Sequence, residues 1–182
     1  MIKAIVAVGG LVCAAVAAFL AYAATRPSAF HVERSATMNA SASAIFPFVN
    51  VLRRWQAWSP WDRIDPDMKR TYEGADSGVG AAYSWAGDGN IGEGKMTITE
   101  SVPDERVVMK LEFFKPMAGV STARLTFAPE GGGTRVTWSM DGTNGFAAKV
   151  FTVFMDMDAM IGGNFEQGLA SLKSIVEAAP EK

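Results

Sequence analysis

The 182 residues include one cysteine and one histidine. No disulfide can close within the chain, no cysteine–histidine pair can serve as nucleophile and base, and no Cys/His metal cluster can be assembled. Carboxylate spacing of the kind that cages a cation is missing as well. Lysine and arginine never form a run, and 17 basic residues stand against 19 acidic ones for a net charge of −2. Nucleic acid demands a concentrated basic face, so that class of partner is excluded. Glu33, Glu73, Glu93, Glu100 and Glu112 fall on solvent faces or strand ends, and nothing near His31 completes a triad. No catalytic residue, no metal ligand and no cofactor site is therefore nominated.

Charge is missing from one long stretch. Ala4 to Thr25 is uncharged throughout, bracketed by Lys3 and Arg26. As a helix it would extend roughly 33 Å, enough for a hydrocarbon core of about 30 Å. Tyr22 lies where an interfacial aromatic would sit. The competing reading is a cleaved secretory signal, because Ala21-Tyr22-Ala23 has the small-x-small spacing of a cleavage site. Signal cores are shorter, typically about 7–15 residues. Residues 1–26 are accordingly expected to be a membrane anchor or signal segment, with residues 4–25 in the bilayer. The short tail before the segment suits an N-terminus inside and a domain outside the cytoplasm, as a single-pass protein facing the periplasm.

Residues 27–182 read as one α+β domain. Phe30–Asn39 alternates as a first strand. Ala40–Ser43 offers a helix N-cap before Ile45, Phe46, Val49 and Leu52, and Pro47 should sit near that helix start or break it. A second short helix is expected over Leu52–Trp58. The period then becomes two, with strands expected at Met68–Glu73, Ala81–Ala86, Glu93–Glu100, Arg106–Phe114, Ser121–Ala128 and Thr134–Asp141. Helical spacing returns from Val150 to Val176, interrupted at Gly162-Gly163, where a break is expected, with Asn164 and Gln167 as a fresh capping box. A long antiparallel sheet followed by an amphipathic helix has one simple solution: the sheet curls around the helix.

Gly87–Gly92 spells G-x-G-x-x-G, but a strand pattern follows it where a dinucleotide site needs a helix, so a hairpin turn is expected. Trp55, Trp58 and Trp61 recur every three residues. Such a trio can clamp a helix end or wall a cavity. Phe151, Phe154, Met155, Met157 and Met160 form a soft stretch on the helix face toward the sheet. Asp156 and Asp158 are expected to be solvated.

Trp55-x-x-Trp58-Ser59-Pro60-Trp61, Gly94–Glu100, Thr134–Gly142 and Phe165-Glu166-x-Gly168-Leu169-x-x-Leu172-Lys173 resemble the SRPBCC (START-like) superfamily, and within it the polyketide cyclase/dehydrase-like branch. The likeness covers roughly residues 30–178. It implies a helix-grip fold, a curved antiparallel sheet wrapped around a long C-terminal helix with a hydrophobic cavity between them. It also implies ligands that are lipids, sterols, polyketides or other apolar molecules. The membrane segment sets this chain apart from a cytosolic cyclase. The expected function is binding or carriage of a hydrophobic small molecule. The alternatives are a cyclase or dehydratase acting in the same cavity, and a protein-interaction module with a filled core. Trp58, Tyr83, Trp85, Phe113, Leu125 and Trp138 are the cavity candidates from the sheet and its connections, with Tyr83 orienting the ligand. Phe151, Phe154 and Met157 are the candidates from the helix.

Overall fold

A computed structural model describes residues 2–178. An apolar helix, α1 (Ile2–Thr25), leads into strand β1 (Ala29–Met38) and helix α2 (Ala42–Asn50). A 3-10 turn (Leu52–Ala57) and a short helix α3 (Pro60–Ile64) carry the tryptophan trio. Six strands follow: β2 (Lys69–Gly74), β3 (Ala81–Ala86), β4 (Glu93–Val102), β5 (Arg106–Lys115), β6 (Gly119–Glu130) and β7 (Gly133–Thr143). Helices α4 (Phe146–Thr152) and α5 (Met157–Ala178) close the described chain. The strands form one antiparallel sheet in the order β1-β7-β6-β5-β4-β3-β2, curved around α5. This is the helix-grip α+β fold. Within α1, Val6–Thr25 is long and apolar enough to cross a membrane, and a signal sequence has the same character.

The expected strands all form, with ends moved by at most two residues. Gly87–Gly92 is a hairpin turn, in which Asp88 Oδ1 accepts from the amides of Asn90 and Ile91. A register shift in β4 between Ile98 and Glu100 perturbs the alternation opposite it, so Val107 and Val108 are both buried. Pro47 neither starts nor breaks its helix; α2 runs through it to Asn50, capped by Ser41 through the Ala44 amide. A helix this short loses one hydrogen bond to the proline and keeps its packing of Ile45, Phe46 and Val49.

The C-terminal helix breaks in a different place from the one its glycines suggest. The interruption lies between Thr152 and Met157, and α5 runs unbroken through Gly162-Gly163. Asp156 supplies the new start, its Oδ1 accepting from the Ala159 amide at 3.0 Å and its carbonyl from Met160 at 3.0 Å. Asn164 lies inside the helix and donates back to the Met160 carbonyl.

Gly162 has another cause: the guanidinium of Arg34 on β1 lies across it, where a Cβ would collide. Arg34 donates to Asp158 (2.8 and 3.0 Å), to Glu166 (2.7 Å) and to the Glu33 carbonyl (2.8 Å). Asp158 is thus an ion-pair partner, and the Arg34 hydrogen bond holds its carboxyl below the usual carboxylate range. Asp156 is exposed and spends a carboxylate oxygen on the cap.

Alanine is favoured over glycine in a helix by about 1 kcal/mol. In the wild-type chain Gly162→Ala must also displace Arg34, so stability should not rise. In an Arg34→Ala background the same change should raise stability by about 1 kcal/mol. Urea denaturation of the four proteins, followed by tryptophan fluorescence, reads the difference; an equal gain in both backgrounds would place Arg34 off the helix.

Candidate functional site

The inner face of the sheet is solid at one end and hollow at the other. At the solid end Val107, Leu125, Phe127 and Val136 are buried beneath α2 and the later turns of α5, with Leu169 and Leu172 at most 1% exposed. Along β5 the next inward residues after Met109 are Leu111 and Phe113, which are only half-buried. Their partners across the ladder are Ser121 and Gly119, and the next inward row holds Ala123, paired with Met109 and Met140; these small residues leave room above the sheet. The result is a cavity of about 470 Å³ between the sheet, α3 and the first turns of α5.

The walls are aromatic. Trp55, Trp61, Trp85, Phe113, Trp138 and Phe165 surround the space, and Met68, Met96, Met140 and Met160 add adaptable thioethers. Trp138 is the hub: it stacks on Phe165 at 4.3 Å and meets Trp55, Trp58 and Trp61 edge-on at 5.3–5.6 Å. Gly168 makes that seat possible, because a Cβ there would come within 2.8 Å of the indole. Trp85 in turn lies across Gly94 of β4, where a Cβ would run into its ring.

Polar groups at the cavity are few. The Trp138 Nε1–H lies beneath the cavity surface, buried without a hydrogen-bond partner, the one buried side-chain nitrogen or oxygen so placed among the described residues. Such a donor costs about 1–3 kcal/mol unless something accepts from it. The Tyr83 hydroxyl donates only to Met68 Sδ at 3.9 Å, and burial pushes its pKa above the ordinary tyrosine value, keeping it neutral. Among the described residues Asp62 is the only charged side chain on the wall, and Arg70 occupies it with two contacts of 2.7 Å. Arg70 also donates to the carbonyls of Pro66 and Met68. No cation among the described residues lines the cavity. Among the described residues no cluster of His, Cys, Asp or Glu is placed to hold a metal ion.

Of the candidates named from sequence, Tyr83, Trp85, Phe113 and Trp138 line this cavity. Trp58 does not: it is fully buried behind Trp138, its Nε1 donating to the Phe48 carbonyl at 3.0 Å. Leu125 sits in the solid end. Phe151 and Phe154 are 56% and 77% exposed, and Phe154 stacks on Phe19 of α1 at 5.4 Å. Met157 lines a separate open groove beside Arg26, Phe30 and Phe154. The break before Met157 turns α4 away from the sheet toward α1, which removes these three from the cavity. Trp61, Met68, Leu111, Ile161, Asn164 and Phe165 line it without having been singled out for it. For Trp61 the signal was present in the tryptophan spacing, and the trio divides its roles: Trp55 and Trp61 face the cavity while Trp58 packs.

Residues 29–177 match the family described as Polyketide cyclase / dehydrase and lipid transport, and the chain belongs to that family. No curated protein matches it. Among solved structures, it is similar to protein CV1439 of Chromobacterium violaceum, with a TM-score of 0.60 at 15% identity, covering 82% of this chain and 98% of that one. The Aha1 dimer of Colwellia psychrerythraea gives a TM-score of 0.58 at 15% identity, covering 84% and 99%. The di-domain ARO/CYC protein BexL of the BE-7585A biosynthetic pathway gives 0.60 at 17% identity, covering 86% of this chain and 53% of that one. At these identities the likeness establishes the shared fold. The family supports hydrophobic-ligand binding or a cyclase-type role in general, without selecting between them.

Ala123→Leu tests the void directly. In a solid core the added carbons would cost about 1–3 kcal/mol. Here they enter empty space and should leave stability unchanged or slightly higher. A loss of more than about 1 kcal/mol in chemical denaturation would show that this end of the core is filled.

Proposed function

We propose that residues 27–182 bind and carry a neutral hydrophobic small molecule in the cavity, and that α1 tethers this domain to the membrane on its extracytoplasmic side. The observation that carries the reading is an aromatic-walled cavity of about 470 Å³ whose wall, among the described residues, holds no free charge. The volume lies within the roughly 300–1,000 Å³ of small-molecule sites, and burying apolar ligand surface supplies about 25 cal/mol per Å² before ordering costs. A free carboxylate or phosphate would find no cation on the wall.

A cyclase-type activity is the second reading, favoured by the family description. It needs an acid or base at the cavity. Asp62 would have to leave Arg70, and Tyr83 is held in its neutral form. Carriage demands neither, and is the reading adopted.

Two fluorescent probes of similar size, one an aromatic hydrocarbon and one the corresponding ketone, test the proposal. Both should bind the full-length protein saturably. Leu111→Trp extends a half-buried wall residue into the space, so both probes should weaken at least about tenfold. Absence of saturable binding of either probe would end the carrier reading. For the tether, the full-length protein should remain with membranes through high-salt and carbonate washing, because apolar burial and not charge would hold it. Release by salt would count against it.

A further inference from the structure

The strand registers fix which end of the domain lies nearest α1. Ala29 follows α1 after three residues and pairs with Thr143, and the next rows run Phe30–Gly142–Ser121–Leu111. Leu111 and Phe113 line the cavity, so the hollow end of the sheet is the end toward α1. The exposed large apolar side chains outside α1 gather at this end. Phe114, Met117 and Val120 belong to the β5–β6 hairpin, each at least 41% exposed. Phe146, Phe151, Phe154 and Met155 belong to α4 and the turn after it, each at least 46% exposed. Val79 is the exception, and Ile64 and Met160 sit on the cavity wall itself.

Depth comes from the contacts between α4 and α1. Phe154 stacks on Phe19, six residues before the end of α1, which corresponds to about 9 Å along the helix axis. Lys149 Nζ lies 3.4 Å from the Ala24 carbonyl in the last turn of α1, where a cation complements the helix end. Helices lying in a membrane interface bury their apolar side to about 5–10 Å. α4 therefore sits beside α1 at the level an interfacial helix occupies, with its ammonium nearer the end of α1 than the phenyl ring of Phe154.

We infer that α4 and the β5–β6 hairpin form a lipid-contacting surface that inserts into the interface of the bilayer spanned by α1 and holds the hollow end of the domain against it. The occupant of this surface is the acyl and headgroup boundary of that bilayer. Met160, on the cavity wall and 46% exposed, begins one turn after Asp156 at the edge of the surface. A hydrophobic molecule could then pass between bilayer and cavity with little exposure to water. The inference rests on the tether reading of α1.

The test uses the full-length chain in phosphatidylcholine vesicles, with and without phosphatidylcholine spin-labelled on its acyl chain. Cys13 is the single cysteine and is replaced by alanine; bimane is then attached at Phe151→Cys, Met117→Cys or, as control, Glu105→Cys. Glu105 lies in the β4–β5 turn, at the opposite end of the strands. Residues 151 and 117 belong to different elements, so one label that disturbs its surroundings leaves the other as a readout. Bimane at 151 and at 117 should be quenched at least about threefold more strongly than at 105. Vesicle-bound protein with equal, weak quenching at all three positions would overturn this inference and leave the tether standing. Protein that fails to float with the vesicles would overturn the tether, and this inference with it.

Discussion

The stack of Trp138 on Phe165 joins the sheet to the long helix, and the other features of the interior are arranged around it. Trp138 comes from β7, Phe165 from α5, and Trp55, Trp58 and Trp61 from the connection that crosses between them. Five aromatic rings in mutual contact bury a large apolar area with little rotamer freedom to lose. Their bulk fills the middle of the domain and stops there. On one side aliphatic side chains pack to completion under α2; on the other, small Ala123 and half-buried Leu111 leave a void. The seat depends on Gly168, since any side chain at that position would push the indole toward the cavity.

Arg34 does on the outside what Trp138 does within. It reaches from the edge strand β1 across Gly162 and grips α5 through Asp158 and Glu166. The edge strand is thereby covered by the helix, which protects its unpaired backbone groups from another chain. Helix and sheet are fixed at two neighbouring points, one apolar at Phe165 and one ionic across Gly162, less than one turn of helix apart.

Most of the fold was legible in the residues. Period-two runs bounded by Gly87–Gly92, Pro103–Glu105 and Gly131–Gly133 located the strands to within a few residues, because a sheet with one buried face must alternate. The C-terminal region was harder for a physical reason. A stripe of apolar residues at helical spacing looks the same whether it meets a core or a lipid surface, so Phe151 and Phe154 could not be separated from Phe165 by periodicity. Glycine is also ambiguous: Gly162 marks the crossing of an arginine from 128 residues earlier, which only the tertiary structure supplies. Asp156 carried the true signal as an N-cap, hidden by the continuous apolar pattern around it. Within the cavity, the large aromatics of β3, β5 and β7 were found, while Ala123 was passed over because an alanine matters there by the space it does not fill.

The pairing of Asp62 with Arg70 has a consequence for how such a cavity could be emptied. With that carboxylate already matched and Tyr83 neutral, the wall carries no uncompensated charge around neutral pH. Salt therefore offers no lever on an uncharged occupant, since screening acts on exposed charges and not on an apolar enclosure. On the proposed carrier reading, unloading would be left to geometry and partition: the roof formed by Met160 and Ile161 would shift, or a more favourable apolar phase would lie within reach of the opening. Such a container would equilibrate with the hydrophobic medium next to it, and the relative chemical potential of the cargo on the two sides would set the direction of flow.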